Sequence, residues 1–251
     1  MRFPRRLNHG EAIDLVGHLD ELRARLIVSL VAVVAAFSAA YAVHGRLVEL
    51  LNHALPVEHR KPITLGVAEP FMTSIKISLY AAVAIALPVI LWQLWAYLAP
   101  AFDRRTQRAV AWLVGLATAL FAAGVVFAYR LALPAAVHFL TGYDDHLYQV
   151  QVRAQEYYSF ALVVLLAVGL VFELPVFVLA LTRIGVVTTD KLRRNRRIGY
   201  AAMAVLAVAL PGVDPITTAF EMAPLMVLYE ASIWLSVLVE RRAASAAPQA
   251  T

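Results

Sequence analysis

Residues 77–102, "ISLYAAVAIALPVILWQLWAYLAPAF", contain no Asp, Glu, Lys or Arg. An amphipathic helix of a soluble bundle shows charge on its wet side every turn or two. This stretch shows none, and it is long enough as a helix to cross a hydrocarbon core, for which about 20 apolar residues suffice. Five further apolar runs follow the same logic, and the charge collects in the segments between them. The pattern predicts an all-α membrane protein with six transmembrane helices, at about 24–43, 72–99, 108–130, 157–182, 198–212 and 216–239. The fifth and sixth spans are expected to be short. Residues 1–240 read as one six-helix domain and 241–251 as a disordered cytoplasmic tail.

Composition narrows the chemistry. The 251 residues are 61% hydrophobic and 16% charged, against about 25% charged in soluble domains. The absence of cysteine excludes disulfides, thiolate catalysis and Cys-ligated metals. A net charge of +5 would suit nucleic acid if it formed one patch, but it is distributed between the spans, as topology signals are. With both termini on one side, all 22 Lys and Arg residues except Arg46, Arg60, Lys61, Lys76, Arg130 and Arg153 fall on that side. The bias places both termini in the cytoplasm. The amino-terminal segment contains Glu11, Asp14, Asp20 and Glu21 and no apolar h-region, so the first apolar run is expected to remain as a span rather than be cleaved. Two outer loops, 44–70 and 130–156, are long enough for structure of their own. The first includes the amphipathic "GRLVELLNHAL"; the second begins with "LALPAAVHFLTGY", which reads as a short helix.

Few residues in the spans could do chemistry. There is no H-E-x-x-H, no G-x-S-x-G and no phosphate-cradling loop, so metal, hydrolase and nucleotide-driven work lack their residues. Neither a catalytic residue, a metal nor a cofactor is expected. In "LVGHLDELRARL" the residues Leu15, Leu19, Leu22 and Leu26 form a helical stripe leading into the first span. On its polar face Glu21 and Arg25, at i and i+4, are spaced to pair. "WQLWAYLAP" carries an interfacial belt of Trp92, Trp95 and Tyr97, a pattern that usually anchors a helix end. "FELP" sets Glu173 inside the fourth apolar run, with Pro175 two residues on. An ionised side chain in mid-bilayer costs about 2.5–3.5 kcal/mol and usually faces a bundle interior or wet cavity. Pro175 cannot donate to the carbonyl of Val171, so the helix is expected to bend there. Glu173 is expected either to hydrogen-bond a neighbouring helix, with Gln93 the candidate partner, or to offer a polar foothold in a concave, partly wet pocket.

Four stretches in order, "HLDELRARL", "EPFMTSIKISLYAAVAIALPVILWQLWAYLAPAF", "FELPVFVLALTRIGVVT" and "LPGVDPIT", resemble the TatC family, from about His18 to Glu230. TatC is the multispanning signal receptor of the twin-arginine protein translocase, which exports folded proteins across the membrane with the proton gradient. The resemblance implies that Glu21 binds the twin arginines of the export signal, with Arg23 beside it and Tyr97 in place of a loop aromatic. A receptor role expects Glu21 to be unpaired. Glu173 matches the intramembrane glutamate of the fourth span. Pro56 matches a proline of the first outer loop, and Asp214 an acid in the turn between spans five and six. Single-span TatA and TatB-type subunits, membrane lipid and further copies of the chain are the implied partners. One departure is plain. The first cytoplasmic loop of the family ends in a Glu-Arg pair, whereas "AFDRRTQR" contains no glutamate. Thr106 stands at that position, and Asp103 is the available substitute acid. The rival reading is a proton-coupled small-solute transporter using Glu173; the charge-free stretches 77–102 and 109–129 of the second and third spans argue against it.

Overall fold

In the computed structural model, residues 15–98, 110–183, 186–210 and 215–245 are described. They form α1 (Leu15–Ala42), α2 (His44–Asn52), a 3-10 turn (Val57–His59) and α3 (Glu69–Leu98). After these come α4 (Val110–Phe127), a π turn (Ala128–Ala132), α5 (Leu133–Gly142), α6 (Ala154–Val171) and α7 (Leu174–Arg183). The chain then builds α8 (Thr189–Arg194), α9 (Arg196–Ala209) and α10 (Pro215–Ser245). Five stretches are long and apolar enough to cross a membrane: Gly17–Ala42, Glu69–Leu98, Ala111–Gly142, Ala154–Arg183 and Thr218–Leu238. With α9 the set is the six-span all-α membrane protein expected from the sequence.

Several boundaries differ from expectation for local reasons. The "LALPAAVHFL" segment is not a separate helix but continues the third span through the π turn. Pro134 would leave the carbonyl of Arg130 without its α-helical donor, and the wider turn directly before it absorbs that defect. The fourth span breaks at Phe172–Glu173 into α6 and α7. Pro175 then occupies the first turn of α7, where no N–H is needed. The fifth helix is short, 14 residues or about 21 Å. The sixth is not: α10 runs 31 residues, because the helix continues past its apolar window into "ERRAAS".

The bundle packs in three apolar zones. Where the loops 53–68 and 143–153 lie, Leu51, Leu55, Ile77, Leu133, Tyr157 and Ala161 form one. Leu87, Leu91, Trp95, Leu113, Phe121 and Val176 form the second, towards the opposite end. Val164, Val168, Ala207, Leu210 and Leu225 join α6, α9 and α10. Helix α1 is attached through small residues, Ala36 against Ala82 and Ala86 of α3, and leaves Leu26, Leu30, Val31 and Val34 exposed. Without a hydrophobic drive between helices in lipid, such small-residue contacts are how spans approach closely. The α4–α6 crossing is tight. A Cβ at Gly169 would lie 2.7 Å from the Phe121 ring, and one at Gly124 would lie 3.0 Å from the Cα of Gly169.

The loop end is tied by polar contacts. Helix α2 ends in a tightened turn in which His53 N donates to Leu50 O at 3.2 Å and Ala54 N to Leu51 O at 3.1 Å, and tyrosine hydroxyls use the remaining lone pairs. Tyr129 donates to the carbonyl of Leu50 at 2.9 Å and Tyr157 to that of Leu51 at 2.5 Å. Tyr158 donates to Asn52 Oδ1 at 2.8 Å. Glu69, at the start of α3, is buried. Its carboxylate accepts from the backbone N–H of Leu65 at 3.0 Å, of Gly66 at 3.1 Å and of Gln155 at 3.1 Å, and from Arg153 Nε at 3.2 Å. The hydrogen bond to that carboxylate holds the pKa of the Arg153 guanidinium above its ordinary value. A parallel bridge between Ile63 and Arg153 completes the link between the segments 53–68 and 143–153. Pro56 precedes the 3-10 turn, and its carbonyl accepts from His59 N at 2.9 Å.

Candidate functional site

The candidate site lies where the start of α1 meets the end of α3. Residues 18, 21 and 25 recur at helical spacing, as do 93 and 97, so each helix presents its polar groups on one face. The antiparallel packing of α1 on α3 brings the two faces together. His18 stacks on Tyr97 with ring centroids 4.3 Å apart and planes 15° from parallel. Arg25 Nε donates to Glu21 Oε1 at 2.9 Å, and Nη2 donates to the same oxygen. Its Nη1 donates to Gln93 Oε1 at 3.2 Å. The Glu21 and Arg25 side chains are 15% and 24% exposed.

The geometry corrects two expectations. Glu21 is not unpaired: the i, i+4 spacing places Arg25 within reach, and Gln93 across the interface holds the guanidinium in that geometry. Gln93 faces Arg25 across the α1–α3 interface, and no hydrogen bond joins it to Glu173 among the described residues. The aromatic belt also divides. Trp92 is exposed, Trp95 is buried in the core, and Tyr97 is half-buried against His18. Arg23, on the same turn of α1 as Glu21, is exposed. Asp103 and Thr106, expected beside this site, lie outside the described residues, as does Asp214.

Glu173 sits in the two-residue break between α6 and α7, 2% exposed. Its N–H donates to the carbonyl of Leu170 at 3.1 Å, a tight turn rather than an α-helical bond. The break carries its side chain into the packed interior, so it does not open onto a concave, wet pocket as expected. Oε1 has no hydrogen-bond partner among the described residues. An unmatched buried acceptor costs about 1–3 kcal/mol. Replacing Glu173 with Leu, of similar size, is therefore expected to raise the stability of the detergent-solubilised protein by about that amount. Thermal unfolding checks it: an unchanged or lower melting temperature would show that the carboxyl is matched in the protein.

Sequence reasoning missed three features. The His18–Tyr97 stack needed the α1–α3 register, although the histidine stands in the same motif as Glu21. The Glu69 network was foreshadowed by "AEPF", an acid at a helix start, but its partners are distant in the chain. A third cluster joins α9 to α10: Tyr200 donates to Glu230 Oε1 at 2.5 Å, and Arg196 pairs with Glu230 Oε2 at 3.2 Å. Gly199 is required beside it, because a Cβ there would lie 2.1 Å from the Tyr229 ring.

Comparison with known proteins agrees with this architecture. Residues 17–224 match the family model for TatC, the Sec-independent protein translocase protein. A TatC of Carboxydothermus hydrogenoformans is 32% identical over 229 residues, covering 91% of this chain and 94% of the relative. That of Desulforapulum autotrophicum is 35% identical over 219 residues, covering 86% and 81%. A chloroplastic relative from Arabidopsis thaliana is 31% identical, covering 95% and 71%. Among solved structures, one of the twin-arginine translocase receptor TatC superposes with a TM-score of 0.74 at 34% identity, covering 88% of this chain and 98% of that one. A second, in detergent, gives 0.76 at 33% identity over 87% and 99%. Both the match through nearly all spans and the agreement of the folds lead to one conclusion: the chain is a multi-pass membrane protein of protein transport, and it belongs to the TatC family of Sec-independent protein translocase proteins.

Proposed function

We propose that this chain is the receptor and scaffold subunit of a twin-arginine translocase in a bacterial or archaeal cytoplasmic membrane, with both termini inside. It binds twin-arginine signal peptides at its cytoplasmic face through Glu21, with Arg23, Tyr97 and the Asp103–Thr106 loop beside it. Single-span TatA and TatB-type subunits assemble on it around Glu173, Pro175 and Asp214, and folded proteins are exported with the energy of the proton gradient. No catalytic residue takes part. A small-solute transporter built on Glu173 has less support, since that side chain is shut into the interior.

The observation that carries the reading is the carboxylate of Glu21. It is partly exposed, lies near the start of α1 against α3, and accepts both guanidinium donors of Arg25 on one oxygen, so it can hold an incoming arginine once Arg25 is displaced. Carboxylates recognise arginine through such paired N–H donors, a geometry that lysine cannot reproduce.

The test is a photoreactive residue in place of Tyr97, probed with a twin-arginine signal peptide on the full chain in membranes. Crosslinking is expected, and it should be suppressed by excess free twin-arginine peptide but not by a twin-lysine one. Labelling that ignores both competitors would overturn the site.

A further inference from the structure

Arg25 occupies the carboxylate that the reading above assigns to the arginines of the signal. We infer that Arg25 is an internal competitor for Glu21, transferred to Gln93 when an incoming guanidinium takes the carboxylate, and that it sets the affinity a signal must reach to be bound. The inference rests on the Glu21 reading and deepens it.

Three features of the geometry carry it. Nε and Nη2 of Arg25 converge on the single oxygen Oε1, and no hydrogen bond reaches Oε2 among the described residues. A new cation therefore has a first point of contact before Arg25 leaves. The contact is also replaceable: a partly exposed i, i+4 pair on a helix is weak, and salt and water compete for it. Finally, Arg25 has somewhere to go. Its third donor already rests on Gln93 at 3.2 Å, a long contact that can shorten on release. A partly buried guanidinium losing its only partner would resist displacement; with Gln93 opposite, it does not lose all of them.

Competition of this kind weakens every Glu21-dependent ligand by the same factor, the reciprocal of the fraction of time that Glu21 is free. It therefore moves the threshold and leaves the ratio between ligands unchanged. Twin-arginine peptides, with the strongest intrinsic pairing, remain above the threshold, and twin-lysine peptides fall below it.

The experiment measures binding of twin-arginine and twin-lysine signal peptides to the full-length protein in detergent or nanodiscs. In Arg25→Gln both peptides are expected to bind about threefold to sixfold more tightly, by a common factor. Gln93→Leu, which changes no charge, should weaken twin-arginine binding about twofold to fivefold with Arg25 present and have no effect in Arg25→Gln. That non-additivity separates displacement from the general field of a nearby positive charge. Arg25→Lys, which preserves charge and fold, should gain part of the same factor. If Arg25→Gln and Arg25→Lys bind as the wild type or more weakly while Glu21→Ala loses binding, the competitor inference falls and the site stands. If Glu21→Ala binds as the wild type, the site reading itself falls.

Discussion

Glu21→Ala is expected to abolish export of twin-arginine substrates while the protein still inserts and folds. The side chain sits at the end of the bundle, 15% exposed, and its intramolecular partner among the described residues is Arg25 on the same helix. Losing an i, i+4 pair of this kind costs about 0.3–0.5 kcal/mol, too little to unfold a domain. The loss of recognition is far larger, because truncating one partner of a hydrogen-bonded charge pair costs about 2–5 kcal/mol in binding, or roughly 30-fold to several thousand-fold. Glu21→Gln keeps the shape and removes the charge, so it should fail nearly as badly. Export of a twin-arginine reporter, with membrane insertion checked in parallel, decides the matter. Normal export by Glu21→Ala would remove the carboxylate from the mechanism.

Gly169→Leu is expected to have the largest effect on stability, about 3 kcal/mol of destabilisation. Even a bare Cβ at this position would meet the Phe121 ring at 2.7 Å and Val125 Cγ2 at 3.0 Å. Its counterpart Gly124 would press Phe172 and the backbone of Gly169 itself, so a side chain at either position can be admitted only by moving the helices apart. Phe172 adjoins Glu173, and forcing the crossing apart would disturb the break that holds the buried carboxyl. Gly115 lies on the same helix α4, and a Cβ there would have nothing within 4 Å. Gly115→Leu should therefore melt close to the wild type. Equal melting of the two variants in detergent would show that the α4–α6 contact is looser than these distances imply.

Much of this was readable from the chain. The apolar runs announced the spans, Pro175 announced the break in the fourth, and the motif around Glu21 announced the candidate site. Pro134, however, does not announce that its helix joins the third span, because a proline marks a helix start as readily as a repaired defect. Glu173 could be assigned a cost but not a partner. The glycines at 124 and 169 look no different in sequence from the one at 115, yet two lie at a close crossing and the third faces open space.

Taken one segment at a time, the chain specifies which stretches are apolar enough to span, their order, where charge collects between them, and where an interfacial carboxylate stands ahead of the first span. A bilayer reads each segment by its own length and polarity, so these properties need no knowledge of the neighbours. Helix packing, by contrast, is what holds Arg25 between Glu21 and Gln93, closes Glu173 into the interior, and uses Glu69 to tie the segments 53–68 and 143–153 together. Arg25 and Gln93 are 68 positions apart, and Glu69 and Arg153 are 84. Such pairs form only where the packing of separate helices puts donor and acceptor within hydrogen-bond distance, and no local pattern in the chain encodes that meeting.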